Sequence, residues 1–545
     1  MKDIMRRAAW QPNDVTFDFR LQRVVEWISE CNNHHIGCFE GTFTLPRRLL
    51  DLTSVQTSQQ VKLIETSTID QSTIHYATLS HCWGPPTKSP LKTIQSNHEE
   101  HSRGIVLDHL TPNFRDAVLI CCKLGLDYIW IDSLCIIQDD GADWEVEAAN
   151  MADIYRGSYL NIAATGARDA YGGIIGLSSL KDAQDRLTTI RDGGTDLTSK
   201  ATSDETYVIQ SEVGAEEYNL LSSQTFPYLT RGWVLQEQAL SPRTVLFPQG
   251  QMFWQCRKSF ISEDGTLYSD GFWSLANGYQ SGSSFDFSSP DDARQTWHMW
   301  TKSYSARHLT YATDVSAAVA GLVNFFGEKM GYSPMLGLWK QTLAFDLGWT
   351  LDYRFGVEAP PLPPHESEFP SWSWLSVVHQ PSFPADLILH SLYKENLVSL
   401  QVESYEEKWS GAAYTSKLES SKLTVSSFVR DATVYIPTDG RWRGILFQII
   451  VSGTPSWKAH CNIQYLFPAG TKLAVKVLQI SQGITPSSSV ADTFLVLLKT
   501  KDDRPRAFYR IGLGEVTSRL PKGWDRGKHC EKHFKESDRE SFKLE

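Results

Sequence analysis

Three short blocks carry the residue types that ligand binding or catalysis needs. They are Leu79-Ser80-His81-Cys82-Trp83-Gly84, Trp130-Ile131-Asp132-Ser133-Leu134-Cys135-Ile136-Ile137-Gln138 and Arg231-Gly232-Trp233-Val234-Leu235-Gln236-Glu237. In each, polar side chains stand where an apolar run ends, and open α/β sheets bind ligands at the carboxyl ends of their strands. Asp132, Glu147 and Glu237 are the carboxylates to weigh. Asp132 either lines a site or caps the next turn. Glu147 lies on an amphipathic helix, where a solvated face accounts for it. Glu237 either reacts or simply favours the positive end of a helix. Ser80 and His81 bind phosphate or ribose, or else close a hydrogen-bonded turn.

Other chemistries are poorly served. The chain has no phosphate-binding glycine loop ending in Lys-Ser/Thr, no His-Glu-x-x-His and no Gly-x-Ser-x-Gly. Gly172-Gly173-Ile174-Ile175-Gly176 follows no strand–helix turn and is expected to be loop. Cys135 reads as a buried structural thiol, since no activating histidine is recognisable nearby. Cys31, His34, His35 and Cys38 have spacings compatible with zinc, but Cys-x₂-His-His-x₂-Cys departs from the usual two-knuckle arrangement. No metal is expected.

The elements that must position these residues follow from periodicity. Strands are expected at Tyr76 to Ser80, Tyr128 to Asp132, Tyr159 to Ala164 and Thr244 to Phe247, all apolar on both faces as in a covered parallel sheet. Between them lie two helices. One opens at Thr111-Pro112, buries Phe114, Ala117, Val118, Cys121 and Cys122, and stops near Gly125. The other follows Asp139-Asp140-Gly141 and carries Trp144, Ala148, Met151 and Tyr155 on one face. An N-terminal helix has Leu21, Val24, Val25 and Ile28 on its apolar side.

Alternating strands and helices make an α/β layered domain over 71–258, after a helical or extended lead-in at 1–70 and with a polar insertion at 168–227. A loop and helical region follows at 259–358. The run Ala359-Pro360-Pro361-Leu362-Pro363-Pro364 is a stiff linker before a β-rich domain at 366–545. Lys and Arg total 52 against 63 Asp and Glu, a net charge of −11, which argues against a nucleic-acid partner. No apolar run is long enough to span a bilayer, and no signal peptide heads the chain. Nine scattered cysteines and no Asn-x-Ser/Thr sequon fit reduced thiols in the cytoplasm.

Together the blocks resemble the HET (heterokaryon incompatibility) domain of filamentous fungi. The resemblance rests on Tyr76 to Gly84, on Phe114 to Tyr159 with Asp-Trp-x-x-Glu-Ala-x-x-Met at Asp143 to Met151, and on Arg231 to Arg243. Flanking pieces also match: Trp27-Ile28-x-x-Cys31 to Cys38, Pro46-Arg47-Arg48-Leu49-Leu50-Asp51 and Pro370-Ser371-Trp372-Ser373-Trp374, with Phe508-Tyr509-Arg510-Ile511-Gly512 in the β-rich part. It implies a role in non-self recognition and regulated death when incompatible fungal cells fuse. An incompatibility or immune-receptor partner and self-association would go with that role.

The order of elements also resembles the Toll/interleukin receptor (TIR) domain, which implies a flavodoxin-like parallel sheet with flanking helices. Trp233-x-Leu235-x-Glu237 resembles its Trp-x-Leu-x-Glu helix. In TIR domains that cleave NAD⁺ the glutamate of this helix is catalytic, so the resemblance implies that role for Glu237. NAD⁺ is then a substrate, and no cofactor is required. Nicotinamide leaves as a neutral molecule, so a carboxylate that stabilises the ribosyl oxocarbenium suffices and no general acid is needed. On this reading Ser80, His81 and Asp132 bind the nucleotide, Trp83 and Trp233 offer aromatic surface, and Gly84 lets a phosphate approach the backbone. The alternative is a module that binds partners or itself without catalysis.

Overall fold

The computed structural model describes residues 17–38, 45–69, 74–175, 227–248, 252–263, 265, 289–351, 368–377, 387–389, 397–436, 447–451, 458–463, 467–484, 489–500, 507–519, 533–535 and 538–545. Most of the insertion expected at 168–227, most of the loop that opens the 259–358 region and the proline run at 359–364 lie outside them. The chain divides into two compact units, Met1–Met299 and Trp300–Glu545.

The first unit is built on a nine-stranded mixed sheet. Its strands are β1 (Arg48–Asp51), β2 (Gln60–Glu65), β3 (Tyr76–Ser80), β4 (Ile105–Val106), β5 (Tyr128–Trp130), β6 (Leu160–Ala163), β7 (Arg243–Leu246), β8 (Phe253–Cys256) and β9 (Phe260–Ser262), in the order β4-β2-β1-β5-β3-β6-β7-β8-β9. The helices are α1 (Phe17–His34), α2 (Val55–Ser58), α3 (His98–Arg103), α4 (Pro112–Leu124), α5 (Asp132–Cys135), α6 (Gly141–Gly157) and α7 (Val234–Leu240).

The four strands expected from apolar runs form the centre, β5-β3-β6-β7, and every pairing among them is parallel. Every residue of β3, β6 and β7 is buried. That is the pattern of strands covered on both faces. Counted along the chain, these strands run second, first, third, fourth, the order of flavodoxin-like sheets. The order reverses between β3 and β6, and such a switch point opens a crevice at the strand ends.

Both flanks are antiparallel. On one side β1 pairs β5 and β2, and β2 pairs β4; on the other β7 pairs β8, and β8 pairs β9. A sheet that is parallel throughout would need a long crossover for each added strand, whereas the short links Leu52–Gln59 and Phe247–Met252 allow only reversal.

Local sequence explains the helix boundaries. Thr111 precedes α4 in extended conformation, Pro112 opens it, and Gly125 closes it at φ +73°. At α6 the Asp140 carboxylate accepts the backbone N–H groups of Ala142 (3.0 Å) and Asp143 (3.2 Å). In α1 the buried stripe is Leu21, Val24, Trp27 and Cys31, while Val25 is 41% exposed. The expected face is therefore corrected by one position: three- and four-residue steps from Val24 reach Trp27 and Ile28, and Val25 points about 100° away.

The second unit contains helices Pro290–Ser305 (from Trp300 onward) and Ala317–Met330 and a nine-stranded β-sheet. Strand Leu418–Tyr435 pairs Lys472–Ile484, which pairs Ser489–Lys499, then Ala507–Arg519, Lys458–Ile463 and Phe447–Val451, and the last returns to Leu418–Tyr435. These pairings are all antiparallel and close a ring, so each of these six strands has a partner on both sides. The Trp-rich segment ties the helical part to this sheet. Trp374 donates to the Gly337 carbonyl (2.8 Å), the Ser373 hydroxyl to that of Leu336 (2.7 Å), and Arg510 N–H to the Ser371 hydroxyl (2.8 Å). Among the described residues no helix is long and apolar enough to cross a membrane.

Candidate functional site

The first and second blocks meet at the carboxyl ends of β3 and β5. Asp132 opens the short turn α5 directly after β5. One carboxylate oxygen accepts the Ser133 backbone N–H (2.7 Å), and the other accepts the Trp83 indole N–H (2.7 Å). Asp132 thus caps its own turn and holds the loop after β3. Lys92 sits over the Trp83 ring, its ammonium 4.9 Å from the centroid.

The third block brings Glu237 to the same place. It sits in the first turn of α7, a helix buried along its whole length. Ser80, the last residue of β3, and Tyr155 of α6 stand near its carboxyl group, with the charges of Arg231 and Asp132 also nearby. Burial pushes the Glu237 carboxyl up to about 7; Arg231, Ser80 and Tyr155 oppose that rise and Asp132 adds to it. Its Oε2 is buried with no hydrogen-bond partner among the described residues. Only 5% of the residue is exposed.

Arg231 links the blocks a second time by donating to the His81 carbonyl. The His81 ring is enclosed, edge-on to Phe114 with centroids 5.0 Å apart. Burial drives its pKa down to about 4, so the imidazole is neutral at pH 7. Below the carboxyl group, Asn161 of β6 spans the sheet. Its Oδ1 accepts from the Thr78 and Ser80 hydroxyls (3.1 Å each).

Of the residues singled out from sequence, Ser80, Asp132 and Glu237 converge, and Trp83 joins them through Asp132. Trp233 stands at the start of α7, half-buried and edge-on to Trp144 at 6.4 Å. Gly84 has φ +89°, and a Cβ there would lie 2.6 Å from Asp169 Cβ. Its glycine is thus required by the backbone and by the approach of Asp169. Tyr155 and Asn161 belong to the site without having been read from sequence as site residues, and Arg231 was named there only as the first residue of the third block. Tyr155 fits an apolar helix stripe, and only its hydroxyl hinted at more.

Glu147 occupies a different setting from the solvated face expected for it. It is 1% exposed, and neither carboxylate oxygen has a hydrogen-bond partner among the described residues. Arg47 Nε and Arg48 Nη2 each stand 4.0 Å away. Burial raises its pKa to about 7, Arg48 works against the rise, and Asp143 adds to it. The reason lies in α6, where Asp143, Glu147, Met151 and Ile154 continue one buried stripe toward β1. Asp143 binds Arg48, Arg47 (2.9 Å) and the Ile137 N–H (2.9 Å). Cys135 is fully buried, with its thiol pushed up to about 12, which leaves no thiolate nucleophile.

Residues 76–237 match the family model described as Heterokaryon incompatibility protein (HET). The matched stretch opens on β3 and ends on Glu237, so it encloses all three blocks. Neither the curated proteins nor the solved structures offer a match.

Proposed function

We propose, from the HET match over residues 76–237, that this chain acts in heterokaryon incompatibility, the recognition of non-self when fungal cells fuse, and that it triggers cell death by cleaving NAD⁺. The observation that supports the second step is the position of Glu237. Its carboxyl group stands at the ends of the parallel strands beside Ser80, Arg231 and Asp132, with one oxygen lacking a partner among the described residues.

In the reaction the bond between nicotinamide and ribose C1′ breaks, and its electron pair leaves with the neutral nicotinamide. The ribosyl cation left behind is stabilised by the ionised Glu237. Water adds to C1′, releases a proton, and gives ADP-ribose. Trp83 and Trp233, both half-buried, supply aromatic surface for a base. Ser80 and Asp132 offer hydroxyl and carboxylate partners to the ribose. The chain works in the cytoplasm and self-associates on activation.

One observation favours a second reading. Glu237 is only 5% exposed, so a substrate must open the crevice to reach it. A module that signals by self-association would need no such opening. The test is nicotinamide release from NAD⁺ by the full chain, alone and clustered on a bivalent tag, with Glu237→Gln and Glu147→Gln beside wild type. Release abolished only in Glu237→Gln supports the hydrolase. Turnover that survives Glu237→Gln removes that residue's role. Death in fungal cells without NAD⁺ loss, retained in Glu237→Gln, favours the binding module.

A further inference from the structure

Apart from the strand-end site, a second constellation in the first unit has the chemistry of a metal centre. The side chains of Cys31, His35, Cys38 and Cys256 converge so that one ligand atom from each lies within 4.8 Å of every other. His35 Nδ1 is 3.3 Å from Cys256 Sγ. All three cysteines are buried and in no disulfide. We propose that these four residues bind one zinc ion in a closed, tetrahedral Cys₃His site that fastens the end of α1 to the end of β8.

The local backbone places the ligands. Cys31 occupies the last turn of α1, and the chain continues that turn, with His35 N–H on the Cys31 carbonyl (3.1 Å) and Cys38 N–H on the His35 carbonyl (3.2 Å). Gly37, at φ +85°, bends the chain between His35 and Cys38. The fourth ligand arrives 221 positions after His35, at the end of β8, where Cys256 N–H bonds the Ser259 carbonyl (2.9 Å) in a tight reversal. His34 takes no part. It is largely exposed, and its Nε2 is 3.9 Å from Glu30.

The donor set selects the ion. Three thiolates and an imidazole are soft to intermediate ligands, and Zn–S and Zn–N bonds of about 2.3 and 2.0 Å put neighbouring ligand atoms roughly 3.5–4 Å apart in a tetrahedron. The observed cluster needs only small shifts to meet that geometry. Four protein ligands leave no open position, which makes the site structural rather than catalytic. Binding releases three thiol protons to solvent, and the zinc–trithiolate unit then carries one negative charge. Cations stand ready for it: Arg243 Nε is 3.3 Å from Cys31 Sγ, and Arg257 Nη1 donates to the Gly37 carbonyl (3.0 Å). The expectation of no metal came from a local Cys-x₂-His-His-x₂-Cys pattern unlike the usual two-knuckle arrangement; in the structure Cys256 of β8 stands where His34 would have been the fourth ligand.

The test is elemental analysis of the full chain purified under reducing conditions without chelator. The expected result is one zinc per chain, lost in Cys38→Ser and Cys256→Ser, and kept in His34→Ala and in Cys122→Ser, a cysteine outside the cluster. Should the ligand variants fail to fold, wild type still decides. Titration of its thiols with a mercurial must release zinc to a colorimetric chelator, and cobalt(II) exchanged into the site must give the absorption of a tetrahedral thiolate complex. Wild type that lacks zinc and takes up neither ion overturns the proposal, as does a disulfide among these cysteines in the reduced protein. Full zinc content in Cys256→Ser overturns the assignment of the fourth ligand.

Discussion

The indole N–H of Trp83 donates to Oδ2 of Asp132 at 2.7 Å, joining the loop that leaves β3 to the turn that leaves β5. Two strand ends on one side of the switch point are thereby clasped by a single charged hydrogen bond, while Glu237 approaches from the third block. Trp83→Phe keeps an aromatic ring, though a smaller one, and removes the donor. A hydrogen bond to a charged group is worth about 1.5–3 kcal/mol, and the half-exposed setting points to the lower end. The expected outcome is a loss of about 1.5 kcal/mol in urea unfolding. A variant as stable as wild type would show that the clasp does not hold the loop.

Glu237 makes stability depend on pH in a defined direction. Its folded pKa, pushed up to about 7 by burial, lies above the roughly 4.3 of an unfolded glutamate. The folded state therefore holds the proton more tightly. The contribution is fully present below the unfolded value and is lost as pH rises through about 7. Glu237→Gln mimics the protonated acid at every pH. It should come close to wild type near pH 4.5 and exceed it by about 3–4 kcal/mol at pH 8, measured by denaturant midpoints across the range. If the gap stays constant with pH, the carboxyl group is not perturbed.

The same titration sets the pH course of the proposed NAD⁺ cleavage. The carboxylate stabilises a cation only when ionised, so nicotinamide release should rise as pH passes through about 7 and level off above it. A profile flat from pH 5 to 9 would exclude Glu237 as the group that titrates.

How far the sequence announced these relationships depends on distance along the chain. The central strands were legible because a strand buried on both faces is apolar at every position, as in Tyr76 to Ser80. The helix at Pro112 was legible because its proline and its closing glycine are local signals. The antiparallel flanks were not: Arg48-Leu49-Leu50-Asp51 is short and charged, and partners far along the chain, Asp143, Glu147 and the Cys135 carbonyl, help make a buried Arg48 tolerable. Glu147 was misread for the same reason. The α6 stripe was recognised from its apolar members, Ala148 and Met151, and two carboxylates on its inner side become intelligible only with the arginine opposite. Glu237 was reached by resemblance to a motif, and its convergence with Ser80 and Asp132 is a property of the sheet order that no local pattern encodes.

Gly84 gives a prediction that separates backbone from ligand roles. Alanine there must adopt φ +89° and bring its Cβ to 2.6 Å from Asp169 Cβ. The left-handed backbone alone costs about 1–2 kcal/mol, and the collision adds to it. Gly84→Ala should lower the unfolding midpoint of the first unit even with no nucleotide present. Unchanged stability would mean that the loop relaxes freely and the glycine serves something else.

The pairing of Arg48 with Asp143 and Glu147 makes the sharpest energetic test. Arg48 is 2% exposed, donates to Asp143 and to the Cys135 carbonyl (2.7 Å), and has Glu147 at 4.0 Å. Removing the cation alone strands two buried carboxyl groups, and breaking a buried ion pair in this way costs about 3–5 kcal/mol. Removing Arg48, Asp143 and Glu147 together avoids most of that, because the charges left without a partner, Arg47 and Glu65, are partly exposed and hydrated. Arg48→Met should therefore be strongly destabilised in urea unfolding at pH 7, and the triple variant Arg48→Met, Asp143→Asn, Glu147→Gln should recover much of the loss. The single variant should also improve as pH falls below about 7, where Glu147 takes up a proton, since its raised pKa rises further without the arginine. A triple variant no more stable than Arg48→Met would show that Arg48 acts through packing and its carbonyl bond, with the two carboxylates incidental.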